Sequence, residues 1–325
     1  MDIDAKLRPL YLLQILQERT DEDNYLTTAQ LASILKQRYG MEPHRTTIKG
    51  DIEVLQQAGF GIDERRSTQN QYRYLEREFE IAELKTIIDV IASSKFIPEE
   101  KSDALIKKVT ALAGIYKAQN LKRNVVVDGR GKLENKQIFY IIDTINEAIN
   151  QHKKIRFRKI EYNVKKERVL HHGGEKYTFS PYSLVWDGDN YYVVGYSDKY
   201  ENIGSHRVDR IAEQPEILDE PAVPPKAGFS VEKYVKTTFR MYNAPRKEVE
   251  LLCDNGVMDA IIDQFGSDVH TYAGDLQNFR VIEEVAVGKV FFNWIFGFEG
   301  KVRIKAPADV KEQYRQMVEN AAKVL

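Results

Sequence analysis

Two arginines flank an aspartate in Arg207-Val208-Asp209-Arg210, and the residues before them, from Tyr177 to Tyr200, are rich in tyrosine. Arginine donates bidentately to phosphate or carboxylate, and aromatic faces stack on bases at roughly 1–3 kcal/mol each. A basic sheet with interleaved Tyr and Phe therefore suits nucleotides or single-stranded nucleic acid. If the Arg207–Arg210 run is extended, Arg207 and Asp209 face one way and Val208 and Arg210 the other. His171 and His172, beside Gly173-Gly174, are the only other pair with ligating chemistry nearby. No third ligand is spaced to complete a metal site, so they read as an exposed loop pair. No metal and no cofactor are expected.

These side chains must be positioned by strands. Tyr191, Val193 and Gly195 alternate with Tyr192, Val194 and Tyr196, and Asp187-Gly188-Asp189 precedes them. That is the pattern of a β-hairpin. Upstream, Lys153 to Ile160 alternates as a strand, and Lys153 to Lys176 holds nine Lys/Arg against three Glu. A helix from Asn135 to Asn150, with Ile138, Ile141, Ile142, Ile145 and Ile149 at helical spacing, leads into it. Together these segments imply a small, twisted, barrel-like sheet. A proline-rich connector follows from Pro215 to Pro225, then a basic, aromatic segment from Phe229 to Tyr242. The chain closes with strands at Val249–Cys253, Phe279–Val287 and Val302–Pro307, alternating with helices at Val257–Phe265, Lys289–Phe296 and Ala308–Val324. That order suggests an α+β sandwich.

Composition bounds the partners. The chain has 325 residues, a net charge of −1 and 42% hydrophobic residues, so two or three domains with proper cores are expected and any basic surface must be local. One cysteine, Cys253, excludes a disulfide framework and a cysteine-rich zinc site, and reads as a buried small apolar residue. No apolar run reaches the roughly 18 residues of a membrane helix. Met1-Asp2-Ile3-Asp4 lacks the apolar core of a signal peptide, so a reducing, bacterial-type cytoplasm is expected.

The first segment reads as a reader of duplex DNA. Leu7 to Leu16 is helical. Thr27-Thr28-Ala29-Gln30 fits a capping box that opens a second helix, which stops near Gly40. Pro43 starts a third, with Ile48, Ile52 and Leu55 in one stripe, ending at Gly59. Two small strands, Ile62–Arg66 and Tyr72–Leu75, surround Ser67 to Gln71 as a wing. In the third helix Arg45, Thr46, Thr47 and Lys49 lie outside the apolar stripe, where Arg or Lys can donate to guanine O6 and N7 in the major groove. Arg65, Arg66 and Arg73 on the wing can reach phosphate or minor groove. Gly50 in mid-helix costs roughly 1 kcal/mol relative to Ala. Glu78 to Asn120 reads as a helical pair, the second helix opening at Ile97-Pro98-Glu99-Glu100. A reader of an inverted repeat needs two-fold symmetry, so this pair suits a dimer contact. Leu121 to Leu133 is a polar loop and a candidate boundary.

Ser180-Pro181-Tyr182, Asn190 to Tyr196, and His206-Arg207-Val208-Asp209-Arg210-Ile211 together resemble a WYL domain, the effector-sensing module of a family of bacterial transcription regulators. The eponymous tripeptide is here Tyr191-Tyr192-Val193, and His44 to Ile52 resembles the recognition helix that often precedes this sensor. The resemblance implies an SH3- or Sm-like barrel. It also implies a ligand clamp at Arg207 and Arg210; Ser180, Tyr182, Tyr192 and His206 are candidate rim or stacking residues, Tyr192 by its position in the motif and Ser180 and His206 by proximity only.

The expectation is an α+β multidomain chain. Residues 1–77 form a winged helix-turn-helix, 78–134 a helical linker for dimerisation, 135–225 the WYL sensor, and 226–325 a C-terminal α+β domain. The expected function is a non-enzymatic, homodimeric transcription regulator that binds double-stranded operator DNA and an anionic ligand, a nucleotide or nucleic-acid fragment. Two alternatives remain. One is a nucleotide-processing or nuclease-like enzyme, against which stands the lack of a Gly-rich phosphate loop, nucleophile elbow, zinc spacing or carboxylate pair. The other is a single-stranded nucleic-acid binder with a vestigial reader.

Overall fold

The structure is a computed structural model that describes residues 3–66, 68–123 and 137–324. The chain divides into two compact units, Met1–Glu134 and Asn135–Leu325. Ser67 of the expected wing, the larger part of the expected loop at 121–133, and the first residues of the helix expected from Asn135 lie outside the described residues.

In the first unit, α1 (Ile3–Arg19) is followed by β1 (Leu26–Thr27), α2 (Thr28–Tyr39) and α3 (Arg45–Gln57), then by β2 (Ile62–Arg65) and β3 (Gln71–Tyr74). The boundaries are chemical. Thr27 and Gln30 form the reciprocal capping box, and Gly40 stops α2 in the left-handed region at φ 68°. His44 caps α3 by accepting from the Thr46 amide. Leu12, Ile15 and Leu16 of α1, Leu31 and Leu35 of α2, Ile48, Ile52 and Leu55 of α3, and Tyr72 of β3 share one core. Each such side chain contributes about 1.5–3 kcal/mol on burial. Arg8 and Asp51, each 13% exposed, pair across α1 and α3. β1, β3 and β2 form a three-stranded antiparallel sheet in that order.

The helical pair expected after this sheet is three helices: α4 (Ile81–Ser93), α5 (Glu99–Ala111) and α6 (Gly114–Arg123). Leu84, Ile88, Ala113 and Leu121 make their core. Arg77 fastens this group to α1, donating to the Leu112, Gln17 and Thr20 carbonyls at 3.0, 3.0 and 2.6 Å. Gly114 sits at φ 75°, and a Cβ there would lie 3.0 Å from the Arg77 guanidinium and 3.2 Å from the Glu18 carbonyl.

In the second unit, α7 (Ile138–Asn150) buries Ile138, Ile141, Ile145 and Ala148. It packs on β4 (Lys153–Arg158) and on β7 (Lys176–Asp187). Between those strands lie the small hairpin β5 (Ile160–Tyr162) and β6 (Arg168–Leu170) and the turn His171–Gly174. β8 (Asn190–Ser197) pairs with β7 across the two-residue Gly188-Asp189 turn, and β9 (Asn202–Arg207) pairs with β8. The Pro215–Pro225 connector contains a strand, β10 (Glu216–Pro221), that joins the free side of β4. The result is a five-stranded antiparallel sheet ordered β10-β4-β7-β8-β9. Proline is tolerated in β10 because the strand is an edge.

The remaining chain adds α8 (Val231–Lys236), β11 (Arg246–Asp254), α9 (Met258–Phe265), β12 (Thr271–Ala273), β13 (Asn278–Ala286), α10 (Lys289–Phe296), β14 (Val302–Ala306) and α11 (Ala308–Ala322). The antiparallel sheet β12-β13-β11-β14 shares a core with Phe265, Phe291, Ile295 and the helices around it. Cys253 is fully buried there, as its neighbours in sequence imply, and burial pushes its thiol up to about 12.

Gly195 marks the tightest approach among the glycines of the five-stranded sheet. β7 shifts register between Pro181 and Ser183, and a Cβ on Gly195 would lie 2.1 Å from the Ser180 carbonyl oxygen and 2.7 Å from the Phe179 ring. Gly195→Ala is expected to cost about 2–3 kcal/mol, the scale of severe overpacking, read as a lower urea midpoint at unchanged slope.

Candidate functional site

A cavity of about 1660 Å³ opens where β9, the β5–β6 hairpin and the segment 223–246 meet, all within the second unit. Tyr182, Tyr196 and Tyr200, Tyr162, Phe229 and Tyr234 give it aromatic walls. Arg207, Arg210, Lys159, Lys226, Lys233 and Arg246 give it cations, against Glu161, Glu201 and Glu284. Its sign is therefore positive in a chain of net charge −1.

The arginine motif is held by one carboxylate. The chain leaves the extended conformation after Arg207 and makes a single 3₁₀ turn over Val208–Arg210, which corrects the expected alternation of this run. The turn buries Val208 and Asp209 together. The Asp209 side chain, 1% exposed, accepts two bonds from Arg207, Nε at 3.0 Å and Nη2 at 2.8 Å. The Arg210 Nε lies 3.8 Å from the same carboxylate. The hydrogen bonds from Arg207 to Asp209 raise the Arg207 pKa above its usual value, so it stays charged. Both guanidiniums remain about one-third exposed, at 35% and 33%, and both line the cavity. Arg210 also lies 4.8 Å over the Tyr162 ring.

Of the six residues singled out in the sequence, Tyr182, His206, Arg207 and Arg210 line this cavity. His206 does so as a largely buried ring, edge-on to Phe157 and Phe179 at 5.3 and 4.9 Å, and burial lowers its pKa to about 3, so it is neutral near pH 7. The other two are corrections. Ser180 is fully buried, and its hydroxyl accepts from the Val223 amide at 3.0 Å, which straps the segment after β10 to β7. Tyr192 is buried with Val194, Tyr234 and Met241, because the 229–241 segment covers that side of the sheet. Neither reaches the cavity wall.

The structure adds lining residues that carried no signal in the motif. Asn243 joins β9 to the later segment: its Oδ1 accepts from the Ser205 amide and the Tyr234 hydroxyl, each at 3.0 Å, and its Nδ2 donates to the Ser205 carbonyl at 2.9 Å. Arg246 donates to the Thr237 and Thr238 hydroxyls, each at 2.7 Å, and lies 4.8 Å over Tyr234. Lys159 sits 4.7 Å over the Tyr177 ring, and burial, with help from Lys199, lowers its pKa. His171, set aside in the sequence as a loop residue, also lines the cavity; its Nδ1 is 3.0 Å from the Tyr177 hydroxyl, and its ring stacks on His172 at 3.8 Å. Among the described residues no group of three or more His, Cys, Asp or Glu could hold a metal ion. Among them, too, no helix is long and apolar enough to cross a membrane.

In the first unit, Arg45, Thr46 and Lys49 project from the exposed side of α3, opposite its buried stripe, and Thr47 is half-buried. Lys49 lies 3.7 Å from Glu53. Arg65 and Arg66 are exposed on the hairpin. Arg73 differs: it pairs with Asp63 at 2.8 Å, donates to the Glu22 carbonyl and stacks 4.4 Å over Tyr25. Its donors are engaged within the unit, so it builds the base of the hairpin.

A cationic, tyrosine-lined concavity beside an antiparallel sheet, with an arginine pair locked on one buried aspartate, describes a small β-domain. Residues 140–216 match the family model of the WYL domain, and the chain therefore contains a WYL domain. No curated protein sequence matches the chain. Among solved structures it is similar to proteasome accessory factor B/C (PafBC) of Arthrobacter aurescens, at 15% identity and a TM-score of 0.29. That likeness covers 98% of this chain, which spans 46% of the length of PafBC. It is also similar to a CRISPR Cas-related protein, at 14% identity and a TM-score of 0.39, covering 99% of this chain and 83% of the other.

Asp209 is the test of this geometry. Asp209→Asn removes the charge that both arginines share while keeping the side-chain shape. We expect a loss of about 2 kcal/mol, below the range for a fully buried pair because the arginines keep contact with water. Chemical denaturation of the variant measures it. A loss under about 0.5 kcal/mol, the size of an ordinary surface change, would show that the turn does not depend on this carboxylate.

Proposed function

We propose that the protein is a ligand-responsive, DNA-binding transcription regulator. On this reading α1–α3 and the β2–β3 hairpin are a winged helix-turn-helix that docks α3 in the major groove of operator DNA. Arg45, Thr46, Thr47 and Lys49 face base edges and phosphates, and Arg65 and Arg66 extend the contact from the wing. The second unit carries the sensor, a barrel-like WYL domain whose cavity takes an anionic ligand, a nucleotide or nucleic-acid fragment. Two copies act together, so that two readers address an inverted repeat.

The observation that carries the reading is the convergence of Arg207, Arg210 and Tyr182 on one cationic cavity inside a WYL domain. Aromatic walls offer stacking to bases, and guanidiniums offer charge-assisted bonds to phosphate. Binding rather than catalysis suits the wall, because Arg207 is held rigidly by Asp209 and His206, one of the two histidines in the lining, is neutral and packed against phenylalanines.

A gel shift on the DNA upstream of the protein's own coding sequence tests both halves. Arg45→Ala/Lys49→Ala is expected to abolish duplex binding. Arg207→Ala/Arg210→Ala, made together with Asp209→Asn so that no buried carboxylate is left unmatched, is expected to leave it intact and to remove the response to added oligonucleotide. Normal duplex binding by the first pair would make the reader assignment wrong. Metal-dependent nuclease activity of the purified protein would favour an enzyme instead.

A further inference from the structure

Most half-buried cations of the second unit lie within ion-pair distance of a carboxylate. Lys154 meets Asp198 and Glu220, Arg156 meets Glu216, Arg158 meets Glu213, and Lys199 meets Glu175. Arg207 and Arg210 share Asp209. Two half-buried cations that line the cavity break this pattern: Lys159 and Arg246 have no carboxylate within ion-pair distance among the described residues.

Their surroundings are separate. Lys159 lies over the Tyr177 ring, with His206 and His171 close to that ring, the ammonium of Lys199 5.4 Å from the ring centre, and Glu175 acting on Lys159 only from beyond ion-pair distance. Arg246 is surrounded by the Thr237 and Thr238 hydroxyls, the Tyr234 carbonyl and the Tyr234 ring. The two share none of these partners. A half-desolvated cation with no carboxylate at ion-pair distance lowers stability relative to a neutral side chain, since its lost hydration is offset only weakly by the more distant Glu175 and Glu284. An anion entering the cavity supplies a counter-charge.

We propose that Lys159 and Arg246 are the two charges the ligand neutralises, and that the ligand therefore carries at least two anionic groups on one chain, as an oligonucleotide with a terminal phosphate does. Arg207 and Arg210, already committed to Asp209, orient the ligand and close the wall. The inference rests on the anion-binding reading above but is separable from it. Because Lys159 comes from the residue after β4 and Arg246 from the start of β11, one ligand contacts the WYL sheet and the C-terminal sheet together.

The full-length protein distinguishes these claims by calorimetric titration with two probes that share their bases. The 5′-phosphorylated dinucleotide pTpT carries two phosphates and TpT carries one. The wild type is expected to bind pTpT about tenfold or more tightly than TpT, and Lys159→Gln or Arg246→Gln to lower pTpT affinity by about tenfold each, the lower end of the loss of a charge-assisted contact. Thr238→Val, which removes one hydrogen bond of Arg246 and keeps its charge, controls for packing and is expected to bind within about threefold of wild type. Lys159→Gln gives a second readout that a structural lysine would not: without ligand its thermal midpoint is expected to rise by about 2 °C, because an unmatched charge has gone. If pTpT binds the wild type and Lys159→Gln equally, or if Lys159→Gln melts below wild type, the assignment of charge is wrong while the ligand reading stands. Equal affinity of the wild type for pTpT and TpT overturns the two-anion claim. No binding of pTpT to the wild type overturns both.

Discussion

One buried carboxylate organises the site. Asp209 is 1% exposed and cannot be hydrated, so it must be matched, and two guanidiniums match it. This constraint selects the 3₁₀ turn over an extended end to β9, because only the turn puts Asp209 inward while Arg207 and Arg210 approach it from the cavity side. It also sets what the arginines can do. Arg207 spends Nε and Nη2 on Asp209 and keeps its remaining donor directions for the cavity. Its position is fixed before any ligand arrives, which reduces the side-chain entropy lost on binding.

The cavity is composite, and its two walls are joined by few polar bonds. β9 is an edge strand, and part of its outward backbone is satisfied by the side chain of Asn243 through the amide and carbonyl of Ser205. The Ser180 hydroxyl holds Val223 in the same manner from β7. Tyr192, Val194, Tyr234 and Met241 supply the apolar part of the joint. Side-chain amide bonds to a strand edge fix position without extending the sheet, so the edge is protected against pairing with another chain. The same covering makes both sides of the β7–β8 hairpin partly inward, with Tyr192, Val193 and Val194 all buried.

That double covering explains where the sequence was legible and where it was not. Helix ends were readable because Thr27, Gln30 and Gly40 carry their own capping chemistry. The β7–β8 hairpin was readable from Asp187-Gly188-Asp189 and the alternation around it. Alternation predicts which residues share a side, not which side meets solvent, so Tyr192 was placed at the ligand and lies in the core. Ser180 is adjacent to Tyr182 in sequence but points into the sheet, where its hydroxyl serves the backbone. β10 was hidden by Pro215, Pro221, Pro224 and Pro225, which exclude a central strand but not an edge. β12, three exposed residues at Thr271–Ala273, has no apolar pattern to read. Lys159 was counted within a basic segment, and only the fold separates it from neighbours that have acids beside them. Arg246 lies far from the motif in sequence and reaches the cavity through β11.

A regulator of the proposed kind needs more than a tight site. A ligand shifts an equilibrium between two arrangements only by the difference in its affinity for them, and moving a population from 1:99 to 99:1 takes about 10⁴-fold, roughly 5.5 kcal/mol. A ligand that touched only the Asp209 cluster would meet the same preset arginines in either arrangement and would discriminate little. The discriminating contacts must come from elements whose relative position can change. In the second unit the five-stranded sheet meets the segment that leads into the C-terminal sheet through the Asn243 bonds and an apolar patch of Tyr192, Val194, Tyr234 and Met241. A phosphate chain grasped from both sheets gains its second contact only when they are correctly apposed, so its binding free energy depends on that apposition. On the proposed reading the composite wall, rather than the arginine pair alone, would convert ligand binding into a conformational preference.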